Sequence, residues 1–268
     1  MILPGSYANG FAPRDGQPLY PELWRGCVGA WAPCLGPTGL TLRDWSGYGN
    51  HGTLTNMDAG SDWVANGGKY ALDFDGTDDY ISIAKPNWTG GAKTIFAWIR
   101  LATLGRNNWI FDGSTDPSFG YSPMFRVHLT NKLRFWNYQA TFFVDSVTSI
   151  SANEWTAVAA SWDRTTSSVW INGNKDASST GDSSTDAGAN WRIASSSFFS
   201  QFCAGQISEL RFYNRAISAT DHKILSTRRG IAYEMAPRRR SSAQVTVAPL
   251  RYNLFSGSIG NTDVIGAS

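Results

Sequence analysis

Hydrophobic and polar positions alternate in short runs along most of the chain. In ALDFDGTDDYISI (71–83), Leu72 and Phe74 fall on one face and Asp73 and Asp75 on the other, which is the period-two pattern of a β-strand. A glycine interrupts the alternation before it resumes, so the stretch predicts two strands joined by a tight turn, with the apolar pair facing the core. Similar runs predict strands at 69–75, 79–84, 94–101, 108–113, 124–129, 132–138, 155–162, 167–173 and 203–214.

Two tight hairpins are predicted between these runs. Thr130 and Asn131 separate one pair of strands, and Asn172-Gly173, typical of a type I′ turn, separates another. Turn signals recur about every eight to twelve residues, which favours a β-sandwich or a barrel. The sequence therefore predicts an all-β fold.

One helix is predicted at residues 218–229. Ser218 and Asp221 have the spacing of a capping box, and Gly230 is placed to end the helix. The composition argues against further helices, since only four glutamates occur and 16% of residues are charged, against about 25% in a typical globular chain.

Both ends of the chain differ in character from the middle. Residues 1–25 are rich in proline, glycine and polar residues, and residues 231–268 have little core-forming periodicity. Six arginines and two acids give residues 226–268 a net charge of +4, which leaves −2 for the remainder of a chain with +2 overall. We expect an extended N-terminal arm (1–25), a globular domain (26–230) and a basic extended C-terminal arm (231–268), the last suited to an anionic partner.

We expect no secretion signal, because residues 1–20 have neither a positively charged segment nor an apolar one. No apolar run in the sequence is long enough to span a membrane. Cys27, Cys34 and Cys203 make an odd number without the spacing of a zinc site. We expect free thiols in a protein made in the cytosol, and a bridge between Cys27 and Cys34 is the alternative.

Seven motifs follow one another along the chain: GCVGAW (26–31), DWSGYGNHGTL (44–54), ALDFDGTDDYISI (71–83), TIFAWIRL (94–101), EWTAVAASWD (154–163), VWINGN (169–174) and AGQISELRFYNRAISATD (204–221). Their order and spacing resemble those of the laminin-G-like, concanavalin A-like jelly-roll family. One departure is Ser208, where that family often has aspartate. The resemblance implies a two-sheet antiparallel jelly-roll sandwich, a fold that hosts lectins, glucanases, adhesion modules and particle proteins.

The sequence does not carry the carboxylate pattern of glycosidases with this fold. Those enzymes resemble one another in a Glu-x-Asp-x-x-Glu strand, because glycoside hydrolysis needs two carboxylates at a fixed separation. That spacing does not occur here, and Glu154 and Glu209 are isolated. His51 is interpreted as a turn histidine that bonds the backbone. We therefore expect no enzymatic activity.

Calcium is the one metal that the sequence favours. Ca²⁺ takes six to eight oxygen ligands, which the chain offers if the 44–52 loop folds onto the 71–76 turn. The alternative is that the loop side chains form Asx and Ser turns with their own backbone. The candidate ligands are Asp44, Ser46, Asn50, Asp73 and Asp75.

Tryptophan is abundant, with 12 residues in the chain. Trp98, Trp162 and Trp170 lie within apolar strands and are predicted in the core. Aromatic residues that flank turns are candidates for stacking on sugar rings: Trp45, Tyr48, Trp63, Trp88 and Trp109.

Two functions follow as alternatives. The first is a non-catalytic structural or decoration subunit of a larger particle, such as a phage virion assembled in the host cytoplasm. In it, the jelly roll is displayed outward and both arms attach to capsid or other particle subunits, or to further copies of this chain. Nucleic acid is not an expected partner. The second is a free-standing, calcium-dependent carbohydrate-binding module that recognises surface glycans, with an extracellular location. The expected partner-binding residues are Arg228, Arg229, Arg238, Arg239, Arg240, Val245, Val247, Leu250, Tyr252 and Leu254.

Overall fold

The computed structural model describes residues 20–86, 91–113, 123–136, 143–180, 190–196 and 199–232. The strands are β1 (Cys27–Trp31), β2 (Thr41–Leu42), β3 (Gly52–Thr55), β4 (Trp63–Asn66), β5 (Lys69–Asp75), β6 (Tyr80–Ala84), β7 (Lys93–Leu101), β8 (Asn108–Asp112), β9 (Met124–Val127), β10 (Lys132–Trp136), β11 (Phe143–Ser149), β12 (Thr156–Trp162), β13 (Thr166–Ile171), β14 (Asn174–Thr180), β15 (Asn190–Ile193), β16 (Ser195–Ser196), β17 (Gln201–Phe202) and β18 (Ala204–Tyr213). The helices are α1 (Pro21–Trp24) and α2 (Ala219–Leu225), with a 3-10 turn at Pro33–Leu35.

Two antiparallel sheets form a sandwich. The first sheet has the order β14-β13-β12-β7-β18-β5-β4, and β1 also pairs with β18. The second sheet has the order β11-β10-β9-β8-β15-β6-β3-β2. This is the predicted all-β, two-sheet antiparallel fold, consistent with a jelly roll, with one helix of seven residues near its C-terminal end.

The strands predicted from alternation are confirmed, and Leu72 and Phe74 face the core as expected, at 0% and 2% exposure. The pattern missed seven strands: β2, β3, β4, β11, β15, β16 and β17. Six of them are two to four residues long, and β11 is rich in polar residues, so each offers too few apolar positions to show the alternation. These strands are identified by the neighbouring strands with which they pair in the structure.

Both predicted hairpins form. Asn172 and Gly173 have φ of 49° and 77°, the pair of positive values that a type I′ turn requires. The turn before β10 is longer than predicted: the amide of His128 donates to the carbonyl of Lys132, and Asn131 has φ of 62°. It is therefore a three-residue loop with Asn131 in the left-handed conformation.

Aromatic rings fill the space between the sheets. Trp31 lies edge-on to Phe212 at 5.0 Å, and Phe111 lies edge-on to Phe212 at 4.6 Å and to Trp191 at 5.1 Å between ring centroids. Edge-on pairs of buried rings add about 0.5–1.5 kcal/mol each beyond the area they bury. The predicted core tryptophans are also buried, with Trp98, Trp162 and Trp170 at 3–8% exposure.

A second apolar layer covers the outer face of the first sheet. Leu23 of α1, Ile217, Leu225 of α2 and Ile231 are buried together with Trp98, whose indole N–H donates to the carbonyl of Leu225. This layer reaches beyond the predicted domain limits of 26 and 230. Residues 21–24, predicted as part of an extended arm, form a helix whose apolar side chain packs into the domain.

The remainder of both predicted arms, residues 1–19 and 233–268, lies outside the described residues. In the described part of the chain, no helix has the length and apolar character needed to cross a membrane.

The capping box of α2 is confirmed. The Ser218 hydroxyl accepts from the Asp221 amide at 3.1 Å, and the Asp221 carboxylate accepts from the Ser218 amide at 3.2 Å. The helix ends at Leu225, four residues earlier than predicted, because the following turn folds back onto the first sheet. There Arg229 donates to backbone carbonyls of the β4–β5 hairpin.

His222 of α2 makes stability depend on pH. Its ring is 1% exposed and stacks on Trp170 with centroids 4.0 Å apart, and neither ring nitrogen has a hydrogen-bond partner among the described residues. Burial, helped by the positive charges of Lys175 and Arg215, lowers the pKa of His222 to about 3. The folded protein therefore holds this ring neutral at pH values where the unfolded chain protonates it.

We expect acid to destabilise the fold through this residue. Since the unfolded pKa is about 6.5, the stability that His222 contributes is complete above that pH and is lost as pH falls toward 3, by about 1.4 kcal/mol per unit or about 2 kcal/mol at pH 5. Urea unfolding between pH 7 and 5 should show a shallower pH dependence for His222→Phe, which keeps the stacked ring. Burial and the charges of Arg134 and Arg126 also lower the pKa of the half-buried His128, so His128→Asn should flatten the slope as well, but less than His222→Phe. Equal slopes for all three proteins would contradict the expectation.

Candidate functional site

The loop after β2 is organised by a single carboxylate, Asp44, which is 4% exposed. One oxygen accepts from the amides of Ala30 and Ser46, and the other from the Ser46 hydroxyl and the Asn50 amide, all at 2.7–2.9 Å. His51 completes the loop by accepting from the Asp44 amide through Nδ1, which confirms its interpretation as a turn histidine. This loop carries its aromatic side chains in a fixed backbone conformation.

The five predicted calcium ligands do not come together. Asp75 pairs with Ala204 at one end of β18, whereas the loop joins the sheet at Trp31, which pairs with Leu210. Six residues along a strand separate the two places by about 20 Å. Asp44 uses its lone pairs on the loop itself, so the Asx-turn alternative describes this part of the candidate site.

A different acidic group forms at the turn after β5. Carboxylate oxygens of Asp75, Asp78 and Asp79 lie within 4.8 Å of one another, and the first two residues are exposed. Partial burial raises the pKa of Asp75, but hydrogen bonds from the amides of Thr77, Asp78 and Asp79 outweigh it and hold that pKa below its usual range. Burial and the neighbouring acids raise the pKa of Asp79. The turn is mainly held by carboxylate-to-backbone bonds, and calcium binding stays a prediction.

An aromatic cleft of about 460 Å³ lies beside the Asp44 loop. Trp45 is half-buried with the Arg43 guanidinium 4.5 Å from its ring centroid, and Tyr48 is 57% exposed. Two of the five predicted sugar-stacking residues thus meet in one cavity. Its lining residues are Trp24, Gly26, Cys27, Trp45, Ser46, Gly47 and Tyr48.

Trp24 is the cleft residue that sequence reasoning missed, because its segment was assigned to an extended arm. Proline at the first position of α1 followed by Glu22 is a helix-start signal that was available. Leu23 is fully buried and anchors the helix, which leaves Trp24 half-buried at the cleft. The short helix therefore supplies a third aromatic wall.

A buried ion pair lies behind this wall. Arg211 and Glu209 project from the outer face of β18, are 1% and 0% exposed, and their charged groups are 3.4 Å apart. Burial acts to lower the pKa of Arg211, but its neighbours Tyr213 and Glu209 outweigh this and hold that pKa above its usual range. The guanidinium lies 5.5 Å from the ring centroid of Trp24.

The other predicted glycan-binding residues lie elsewhere. Trp63 is 6% exposed and donates to the carbonyl of Gly39, so it is a core residue. Trp109 is fully buried, stacked between Phe199 and Trp136 at 5.8 and 6.4 Å between centroids. These burials correct both assignments, since a buried ring offers no face to a sugar. Trp88 lies outside the described residues.

The isolated glutamates and the thiols do not form a catalytic group in the described residues. Glu154 is exposed, whereas Glu209 accepts from the Gly230 amide and from Arg211. All three cysteines are buried free thiols, as predicted. Burial raises the pKa of Cys27 to about 11 and that of Cys203 to about 12, and it also raises that of Cys34, so all three stay protonated near neutral pH.

Of the predicted partner-binding residues, the structure describes two. Arg228 is exposed. Arg229 is half-buried, donates to the carbonyls of Lys69 and Tyr70 and lies 4.2 Å from the ring centroid of Trp155, so its side chain is engaged within this domain. The others lie outside the described residues: Arg238, Arg239, Arg240, Val245, Val247, Leu250, Tyr252 and Leu254.

Comparisons with known proteins agree with this architecture. A laminin-G family model described as the concanavalin A-like lectin/glucanases superfamily matches residues 75–221. A search of curated protein sequences finds no match.

Solved structures with a similar fold share little sequence with the chain. Domain 4 of the arabinanase AbnA from Geobacillus stearothermophilus, in complex with arabinotriose, is 19% identical with a TM-score of 0.58, over 75% of this chain and 98% of that one. The binding domain of botulinum neurotoxin DC, in complex with SialylT, is 14% identical with a TM-score of 0.56, over 76% and 52%. The sialidase of Trypanosoma rangeli is 15% identical with a TM-score of 0.56, over 75% and 33%. At these identities the likeness concerns the fold.

Proposed function

The chain belongs to the concanavalin A-like lectin/glucanases superfamily, and from that premise we propose that it is a non-catalytic carbohydrate-binding domain that uses the aromatic cleft. The observation that carries the proposal is the convergence of Trp24, Trp45 and Tyr48 on one open cavity. Ligand sites combine apolar and aromatic walls with a few polar groups, which is the composition of this cleft. Two of the similar solved domains are bound to an arabinotriose and to SialylT, which supports the same class of ligand.

The absence of turnover is part of the proposal. A glycosidase needs two carboxylates on either side of the scissile bond. Among the described residues no carboxylate lines the cleft, and Asp44, the acid nearest to it in the chain, is fully used in holding the loop. The cleft is therefore suited to holding a sugar ring by stacking.

Tyr48→Ala should weaken glycan binding at least tenfold. Tyr48 is exposed and its backbone makes the loop contacts, so the substitution removes a stacking face and leaves the fold intact. Aromatic side chains at the centre of binding sites commonly contribute about 2 kcal/mol or more, which exceeds the 1.4 kcal/mol of a tenfold change. A glycan array followed by titration calorimetry on its best ligand is the measurement.

The matched control is Tyr80→Ala, a half-buried tyrosine on β6 of the second sheet. It should bind the same ligand with unchanged affinity. Equal affinity of Tyr48→Ala and the wild type would place the site away from the cleft, and a protein that binds no glycan on the array would refute the proposed function.

Attachment to a larger particle remains the second proposal, supported by the basic composition of residues 226–268. Under it, the carbohydrate-binding domain is displayed on the particle and the arms hold it there. A virion location, with neighbouring particle subunits as partners, belongs to this proposal.

A further inference from the structure

The buried Arg211 has unused hydrogen-bonding capacity next to the cleft. Its Nε and Nη1 have no hydrogen-bond partner among the described residues, and its Nη2 makes one long bond of 3.4 Å to Glu209. Glu209 also accepts from the Gly230 amide with its other oxygen. Buried guanidinium donors without partners are costly, so a position with two of them is unusual in a stable fold.

Two lining residues of the cleft separate this guanidinium from the cavity. The ring centroid of Trp24 lies 5.5 Å from the Arg211 guanidinium. Burial raises the pKa of the Cys27 thiol, and the positive charge of Arg211 acts to lower it. Trp24 and Cys27 both line the cleft. Because the Arg211 side chain is buried, solvent screens its charge less than at an open surface, and the ion pair with Glu209 offsets part of that charge.

Three further arginines lie close to residues that line the cleft. Arg43 is exposed and holds its guanidinium over the ring of Trp45, and Arg25 is exposed beside Trp24. Arg215 packs near the cleft residue Gly26, since a side-chain carbon at that glycine would lie 3.3 Å from it.

The acids of this region are mostly engaged. Asp221 pairs with Arg215 at 3.2 Å, and Asp44 accepts four hydrogen bonds from its own loop and from Ala30. Glu22 of α1 is exposed. The four arginines and, with Glu209, the four acids of this region balance in formal charge. Arg43 combines exposure with contact to an aromatic lining residue, so its guanidinium can meet an anionic group of a ligand held in the cleft.

We propose that the cleft selects sugars that carry a carboxylate, such as a sialic acid or a uronic acid, over their neutral counterparts. The inference rests on the proposed function and adds the ligand class. In this arrangement Trp45 and Tyr48 contact the sugar ring, and Arg43 binds the carboxylate. The buried Arg211, on the far side of Trp24, adds a positive electrostatic potential without touching the sugar. A guanidinium fork matches a carboxylate in geometry as well as charge.

The test is calorimetric titration of the full chain with two matched pairs of ligands. The pairs are 3′-sialyllactose with lactose, and trigalacturonate with galactotriose. We expect at least one acidic sugar to bind at least tenfold more tightly than its neutral partner, and the pair that shows this preference identifies the source of the carboxylate. The preference should fall when salt is raised from 50 to 500 mM, because added ions screen the rim charge.

Arg43→Gln should reduce the preference at least threefold while the affinity for the neutral sugar stays within twofold. The matched control is Arg164→Gln on the β12–β13 turn, an exposed arginine three strands from β1 in the first sheet, which should keep the wild-type preference. Arg211→Lys, with folding checked by thermal melting, should reduce the preference as well. If Arg211→Lys prevents folding, Arg43→Gln still tests the proposal, because Arg43 is exposed and its replacement does not disturb the core.

Each outcome distinguishes the two proposals. Equal binding of acidic and neutral sugars, with loss of both in Tyr48→Ala, would overturn this inference and leave the proposed function standing. A preference that Arg43→Gln leaves unchanged would overturn it too. Binding of no sugar would refute the proposed function, and the inference would fall with it.

Discussion

Asp44→Ala should lower the free energy of unfolding by about 2–4 kcal/mol, because it leaves three backbone amides at the edge of the domain without acceptors. The amides belong to Ala30, Ser46 and Asn50, and water reaches only the last two with ease. The substitution should also release the loop that carries Trp45, so glycan binding is lost with stability. Urea unfolding monitored by tryptophan fluorescence gives the first quantity.

Asp44→Asn is the matched control, because it keeps the shape of the side chain and removes its charge and one acceptor oxygen. The amide keeps one acceptor oxygen for Ala30 and Ser46 and presents a donor to the Asn50 amide, so its loss should be smaller than that of alanine. A change below about 0.5 kcal/mol for Asp44→Ala, the size of an ordinary surface substitution, would contradict the assignment of this carboxylate as the organiser of the loop.

Glu209→Ala should cost about 3–5 kcal/mol, the usual penalty for leaving one partner of a buried ion pair unpaired. Glu209 is 0% exposed, and its removal strands the Arg211 guanidinium and the Gly230 amide. Chemical unfolding at pH 7 is the measurement.

The double variant Glu209→Leu/Arg211→Leu removes both charges and keeps apolar side chains at both positions. Its free energy of unfolding therefore shows how much of the loss in Glu209→Ala comes from the unpaired charge and how much from the lost side-chain volume. Replacing both charges by apolar groups of similar volume is often neutral or stabilising, so this protein should be more stable than Glu209→Ala. A double variant as unstable as the sum of the two single changes would show that the two residues act independently. Its glycan preference, compared with the wild type, also tests whether the buried arginine contributes to ligand choice.

The sequence by itself determined most of the fold of the described domain. Three local signals predicted elements that the structure contains. Alternation predicted the strands, Asn172-Gly173 predicted a hairpin turn, and the Ser218–Asp221 capping box predicted the start of α2. Local signals suffice because alternation and turn chemistry depend on neighbours within a few residues. The seven motifs in order then indicated the family, which the match over residues 75–221 confirms.

Candidate site residues were harder to choose, because exposure depends on what packs over each side chain. Trp45, Tyr48, Trp63 and Trp109 all flank turns, yet the first two line a cleft and the other two are buried. Trp109 is covered by neighbours from β10 and from residue 199, which are distant in the chain. No local pattern distinguishes these cases.

Only the tertiary structure decided which groups meet. The carboxylates of Asp44 and Asp75 both belong to loops rich in oxygen ligands, but β18 holds their loops about 20 Å apart, because β1 and β5 pair with different ends of that strand. The same pairing places Arg211, 184 positions after Cys27, behind the aromatic cleft. The sequence determines strands and turns through nearby residues, whereas a binding site depends on long-range pairing that no short stretch of the chain contains.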